Sequence, residues 1–161
     1  MCNVMGLLSH SDIFEDCLHE TNPDVFTLTE TKMKPYLHHN STGKSLQKDV
    51  FRGYIAFFSS VPTDGQVRPR GKAGVIVGVR NAYIPPGSFT KMQTDKKLNG
   101  YICHTTLRTP GHALAHIVGV NMPEDTIKRK LIYTYIQDRA IEYALGFCFE
   151  RKMGLFSCNI L

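Results

Sequence analysis

Four short apolar runs, "GYIAFFSS" at 53–60, "AGVIVGVR" at 73–80, "GYICHTTLR" at 100–108 and "ALAHIVGVN" at 113–121, constrain this chain more than any other feature. Each has the length of a strand, is rich in β-branched and aromatic residues, and is bounded by Gly, Pro, Asn or Asp. They read as successive antiparallel strands. An opening strand near 1–8, containing "NVMGLL", and a second strand in "PDVFTLTET" at 23–31 precede them. Between these two, Ser9 stands three residues before Asp12 as a weak capping box, leading into Ile13, Phe14, Cys17 and Leu18 at helical spacing. From Asp125, the residues Ile127, Leu131, Ile132, Tyr135 and Ile136, then Tyr143, Ala144 and Leu145, recur near every 3.6 positions and predict one long amphipathic helix. A last strand, "GLFSCNIL", is expected at 154–161. The polar stretch "TKMKPYLHHNSTGKSLQKD" is a long surface loop.

Length and charge bound what such a chain can do. With 161 residues, 42% of them hydrophobic, one domain over 1–161 with a sizeable core is expected. Nineteen Lys and Arg against fourteen Asp and Glu give +5, which favours an anionic partner such as nucleic acid or phosphate. Five scattered cysteines with no C-x-x-C pair fit a reducing compartment, so an intracellular place, nuclear or cytoplasmic, is expected. No apolar run approaches the ~18 residues of a membrane span, and no basic segment followed by an apolar one opens the chain. No membrane partner is expected.

Several local patterns are weaker than they look. "STGKS" at 41–45 ends like a phosphate-binding loop, but that loop needs a glycine where His38 stands, so no small-molecule nucleotide cofactor is expected. His112 and His116 have helical ligand spacing yet flank a strand, where four residues span ~13 Å, too far for one zinc. His38 and His39 have no Cys or carboxylate at ligand spacing. "VRPRGK" places Arg68, Arg70 and Lys72 in one loop, where they suit backbone phosphate and equally suit an ordinary soluble surface.

Taken in order, "NVMGLL", a helix, "PDVFTLTETKM", "RGKAGVIVGV", "NGYICHTTL", "HIVGVNMPED", a helix and "GLFSCNIL" resemble the endonuclease/exonuclease/phosphatase (deoxyribonuclease I-like) superfamily over essentially the whole chain. Within it the nearest likeness is to the apurinic-like endonuclease domain of non-LTR retrotransposons. The resemblance implies an α+β fold, a four-layer α/β/β/α sandwich of mixed, mainly antiparallel sheets, here truncated. The chain would supply about the first sheet with its covering helices. The inner face of that sheet would be left bare, which would invite self-association.

The same resemblance implies a Mg²⁺ (or Mn²⁺) site at Asn3 and Glu30, DNA as partner, and a phosphate-facing role for Asn159. A carboxylate supplies the hard oxygen Mg²⁺ prefers, and an asparagine amide fixes geometry without adding charge. The chain departs from the family pattern at two motifs. Asn121 in "VGVNMPED" stands where a phosphate-facing tyrosine is expected, and can still donate an amide hydrogen bond. In "FSCNIL", Asn159 matches the Gly-Asp-x-Asn motif, but Ser157 replaces its aspartate and Phe156 its glycine. A serine hydroxyl with no base beside it cannot do a carboxylate's work on water. None of the seven histidines follows this motif, so the C-terminal histidine of the family pattern has no counterpart here. The expectation is therefore a remnant or fragment of a Mg²⁺-dependent phosphodiester-cleaving endonuclease, inactive as this chain. The alternatives are a non-catalytic nucleic-acid-binding remnant or a phosphatase of the same superfamily.

Overall fold

Strand β2 (Val25–Thr29) alternates Phe26 and Leu28 with Thr27 and Thr29, and that alternation assigns its two faces to two different layers. In the computed structural model the described residues are 2–3, 7, 10–32, 50–61, 73–111 and 114–150, without the side chains of 2, 3, 83 and 144–150. The remaining elements are β1 (Cys2–Asn3), α1 (Ser11–Thr21), β3 (Tyr54–Ser60), β4 (Gly74–Arg80), β5 (Phe89–Lys91), β6 (Ile102–Leu107), β7 (Ala115–Val120) and α2 (Thr126–Glu150). They fall into two compact units, Met1–Pro123 and Glu124–Leu161.

The first unit holds two sheets. One has the order β1-β2-β4-β3, with β1 parallel to β2 and the other pairs antiparallel. The second is antiparallel, in the order β5-β6-β7. Central strand β4 is buried on both faces, which is why "GVIVGVR" reads as an almost unbroken apolar run. Ile76 faces a cluster with Phe26, Leu28, Ala56 and Tyr54, covered by Phe14 and Leu18 of α1 and by Phe51. The rings of Phe14, Phe26 and Phe51 lie 5.4–6.0 Å apart, within the range of favourable aromatic pairs. Gly78 leaves the space Phe26 uses, since a Cβ there would meet its ring at 2.2 Å.

On the other face, Val75, Val77 and Val79 pack with Phe89 and Cys103, flanked by Ile55, Phe57, Leu107 and Ile117. Each fully buried valine contributes on the order of 1.5–3 kcal/mol. Gly119 of β7 is where the sheets approach most tightly: an added Cβ would lie 2.7 Å from Val75 Cγ1, 2.8 Å from Thr27 Cγ2 and 2.9 Å from Val77 Cγ2. The unit is thus layered as helix α1, first sheet, second sheet.

This corrects one expectation. The chain carries three strands of a second sheet, and Val75, Val77 and Val79 on the inner face of the first sheet pack with Phe89 and Cys103. The four apolar runs are not one series: β3 and β4 form a hairpin in the first sheet, β6 and β7 in the second. A strand's alternation says which residues face a core but not which sheet the strand joins. Helix α1 is as expected in position; His10 precedes it without a side-chain cap, and Ser9 of the expected capping box lies outside the described residues. Its end is a left-handed Asn22 whose N–H donates to the Leu18 carbonyl at 2.9 Å. The strand expected at 154–161 lies outside the described residues.

In the second unit, α2 begins after Asp125, whose carboxylate accepts the Ile127 N–H at 2.8 Å. Arg139 pairs with Glu142 one turn on and lies 5.5 Å from the Tyr135 ring centre. No described helix is long and apolar enough to cross a membrane.

The tight approach at Gly119 gives a direct test. Gly119→Ala should destabilise the chain by about 1–3 kcal/mol, as overpacking does, and lower Tm by about 2–4 °C per kcal/mol at this size. Thermal unfolding by circular dichroism measures it, and an unchanged Tm would mean that the two sheets are not in contact there.

Candidate functional site

The candidate site is built where β2 ends. Strand β1 runs parallel to β2 with Cys2 opposite Leu28 and Asn3 opposite Thr29, so the backbone of Asn3 lies beside the residue that precedes Glu30. After Thr29 the chain leaves regular geometry. Glu30 has φ +58° and Lys32 φ +50°, both left-handed, which ordinary side chains occupy at a cost on the order of 1 kcal/mol or more. Thr31 between them is fixed from both sides. Its N–H donates to the Gly74 carbonyl at 3.3 Å, and its carbonyl accepts the Leu7 N–H at 3.1 Å. Its side chain is buried against Gly74, where an added Cβ would sit 2.1 Å from the hydroxyl.

This alternation brings Glu30 and Lys32 to the same side. Lys32 Nζ lies 3.9 Å from Glu30 Oε2, and each side chain is 30% exposed. A partly exposed ion pair at that separation is weak.

A chain of contacts extends the site across the sandwich. Gly74 pairs with Ser60 across β3 and β4. The N–H of Gly100 donates to Ser59 Oγ at 2.9 Å, and at φ +80° Gly100 packs so closely on Val61 that a Cβ would meet its backbone nitrogen at 2.8 Å. Tyr101, the next residue, accepts the Asn121 N–H at 2.8 Å. Asn3, Glu30 and Asn121 therefore follow or close strands at one end of the two sheets. Asn121 itself is only 6% exposed and presents little surface to a ligand.

The basic loop begins and ends at the same place. Val61 and Ala73, its described flanks, adjoin Ser60 and Gly74, while Arg68, Arg70 and Lys72 lie outside the described residues, as do Asn159, Ser157, His38, His39, His112 and "STGKS". A groove of about 480 Å³ lined by His19, Arg52, Tyr54 and Arg80 lies at the opposite end, where β3 starts and β4 finishes.

Two further groups were not singled out from sequence. His116 pairs with His104: Nε2 of His104 lies 3.1 Å from Nδ1 of His116 across β6 and β7. Among the described residues no three His, Cys, Asp or Glu side chains gather as a metal cluster. The other is Lys32, whose approach to Glu30 carries no sequence signal, because both residues are left-handed and the chain there is not extended. Cys103 is no nucleophile, since burial pushes its thiol up to about 11 and its S–H donates to the Phe57 carbonyl at 3.4 Å.

The architecture defines an α+β protein with two stacked β-sheets, a helix against the first, and its candidate residues at one end of the stack. No protein-family model and no curated protein matches the sequence. Among solved structures, the fold is similar to that of an AP endonuclease from Leishmania major, with a TM-score of 0.50 and 18% identity. That likeness covers 76% of this chain but only 39% of the length of the endonuclease.

The left-handed Glu30 separates strain from side-chain chemistry. Glu30→Gly should be neutral or stabilising by up to ~1 kcal/mol, because glycine takes positive φ freely, whereas Glu30→Val should destabilise by about 1–2 kcal/mol. Urea unfolding of both variants distinguishes these, and equal midpoints would remove the strained conformation from consideration.

Proposed function

We propose that this chain derives from a metal-dependent endonuclease of the endonuclease/exonuclease/phosphatase type, that it binds DNA, and that its 161 residues do not cleave it. The observation that carries this reading is the placement of Asn3 beside the end of β2, with Glu30 held just beyond it. The likeness in fold to an AP endonuclease supports the ancestry, as does the order of motifs that resembles the retrotransposon enzymes.

The donor set suits a hard cation. Glu30 offers a carboxylate and Asn3 a neutral amide oxygen, and Mg²⁺ is commonly held by one or two carboxylates while keeping several waters. The Lys32 ammonium already stands beside Glu30 as a cation in the same field. A bound Mg²⁺ would supply charge stabilisation for a phosphate and a more acidic water. Asn159 would contact the scissile phosphate, and Arg68, Arg70 and Lys72 the flanking ones. Asn121 would at most donate weakly.

Cleavage fails for want of a base. Ser157 stands where the motif needs a carboxylate, and general acid–base catalysis contributes typically ~10²–10⁴-fold. Residues that act as a unit lose activity almost together.

Two measurements follow. Purified chain with Mg²⁺ should leave supercoiled plasmid un-nicked over hours; nicking that copurifies with the protein and vanishes in Glu30→Ala would refute the inactivity. Replacing Arg68, Arg70 and Lys72 together by Ala should flatten the dependence of log K on log salt for duplex binding by roughly 0.9 per lost phosphate contact. An unchanged slope would return all three to ordinary surface charges.

A further inference from the structure

We propose that the groove at the far end of the first sheet, lined by His19, Arg52 and Arg80, is a binding site for a phosphate monoester, carried on a small molecule or at the end of a DNA strand. The seven residues of β4, roughly 20 Å at the rise of a strand, separate it from Gly74 and the Glu30 end of β2. It rests on no part of the metal reading given above.

Backbone pairing gathers the cations. Tyr54 and Arg80 stand opposite each other across β3 and β4. Around them the Asn81 N–H donates to the Gly53 carbonyl and the Arg80 N–H to the Asp24 carbonyl, each at 2.8 Å. These bonds fix the start of β3 and the finish of β4, with Arg52 and Arg80, in one groove with His19 from the last turn of α1. Gly53 takes φ +86°, and a Cβ added there would meet nothing within 4 Å, so the chain on this side stands open to a ligand.

The lining has the composition of an anion site. Arg52, Arg80 and His19 supply N–H donors, Asn22 and Asn81 supply amides, and no carboxylate stands among the described residues that line the groove. Asp24 reaches Arg80 from outside the lining, with Oδ1 3.6 Å from Nε, and at 74% exposed its charge is largely screened by water. The Arg80 side chain is only 19% exposed, and a charge-assisted hydrogen bond is stronger from such a sheltered position. The carbonyl end of a helix repels anions, but here the Leu18 carbonyl accepts the Asn22 N–H at 2.9 Å and the Cys17 carbonyl accepts the Thr21 hydroxyl at 2.7 Å. Leu18, Val50 and Tyr54, all buried, give the groove an apolar floor. Its volume of about 480 Å³ lies within the ~300–1,000 Å³ of small-ligand sites, and an apolar floor under a basic rim fits an organic group that ends in a phosphate. Two arginines in one groove suit the double charge of a monoester better than the single charge of a phosphodiester.

Backbone amide shifts in the nuclear magnetic resonance spectrum of the full chain, titrated at low ionic strength with phenyl phosphate and with phenol, test this. Phenyl phosphate should shift the amides of Asn22, Gly53 and Asn81 saturably, and phenol should not. Arg52→Gln and Arg80→Gln should each weaken phenyl phosphate binding by roughly tenfold or more, as the loss of a charge-assisted hydrogen bond does. Arg80→Lys should recover only part of it, because an ammonium lacks the guanidinium fork. Lys96→Gln removes the same charge from an exposed position outside the groove and should bind as the wild type does. Should Arg80→Gln not fold, Arg52→Gln decides, since Arg52 is exposed. A dinucleotide carrying a terminal phosphate separates the two sources: binding tighter than that of phenyl phosphate assigns the site to a DNA end, and weaker binding assigns it to a small phosphorylated molecule. The site is refuted if phenol binds as phenyl phosphate does, if Lys96→Gln weakens binding as much as Arg52→Gln, or if no amide of the groove shifts at tens of millimolar phenyl phosphate.

Discussion

The contact between Gly119 and the surface made by Val75, Val77 and Thr27 sets the spacing of everything else in the first unit. A side chain at position 119 would push β7 off the first sheet by the width of a methyl group or more. With glycine there, Phe89 and Cys103 reach the valines of β4, and the second sheet closes the core that the first sheet opens. Because interiors are packed like crystals, this one close approach fixes the register of the two layers more firmly than any single hydrogen bond. Burial then sharpens side-chain chemistry as well: the Cys103 thiol is held protonated because no water reaches it to stabilise a thiolate.

From that register follows the alignment of the strand ends. Ser60, Gly74, Gly100 and Tyr101 are joined by pairing, hydrogen bonds and close packing, so the ends of β2 and β7 cannot be moved independently. The end of β2 is distinguished from the rest by its backbone. Two left-handed residues around a buried threonine cost free energy that the core must offset, and a plain strand terminus would cost none. Such strain is an observation from which function is inferred, and here it coincides with a carboxylate and an ammonium facing each other.

Much of this was legible in the sequence, and the gaps have physical reasons. Strands β2, β3, β4, β6 and β7 were visible because buried strands concentrate Val, Ile and Phe between turn residues. Helix α2 was visible because its apolar residues keep a 3.6-residue period. Strand β5 was missed: three residues, Phe89–Lys91, are too few to show any period, and two of them are exposed. Stacked sheets were implied by the resemblance, but that this chain carries strands of both, and which strand joins which, was missed because alternation reports burial and not partnership. The His104–His116 pair was missed for a related reason, since twelve residues separate them and only the β6–β7 register brings them together. Glu30 was singled out from a strand ending on an acidic residue, but its positive φ was not, because glutamate carries no local signal for that conformation.

Charge bears on the proposed function. If Glu30 and Asn3 hold a divalent ion as proposed, one carboxylate and one amide in a chain of net charge +5 would hold it weakly by themselves. A phosphate arriving from a ligand would add the missing oxygen donors and negative charge, so metal and phosphate would strengthen one another's binding. Tight resident metal would demand further carboxylates, and each would repel the polyanion that the basic composition favours. On the proposed function a polyanion would bind first through the basic composition and only afterwards through the ion.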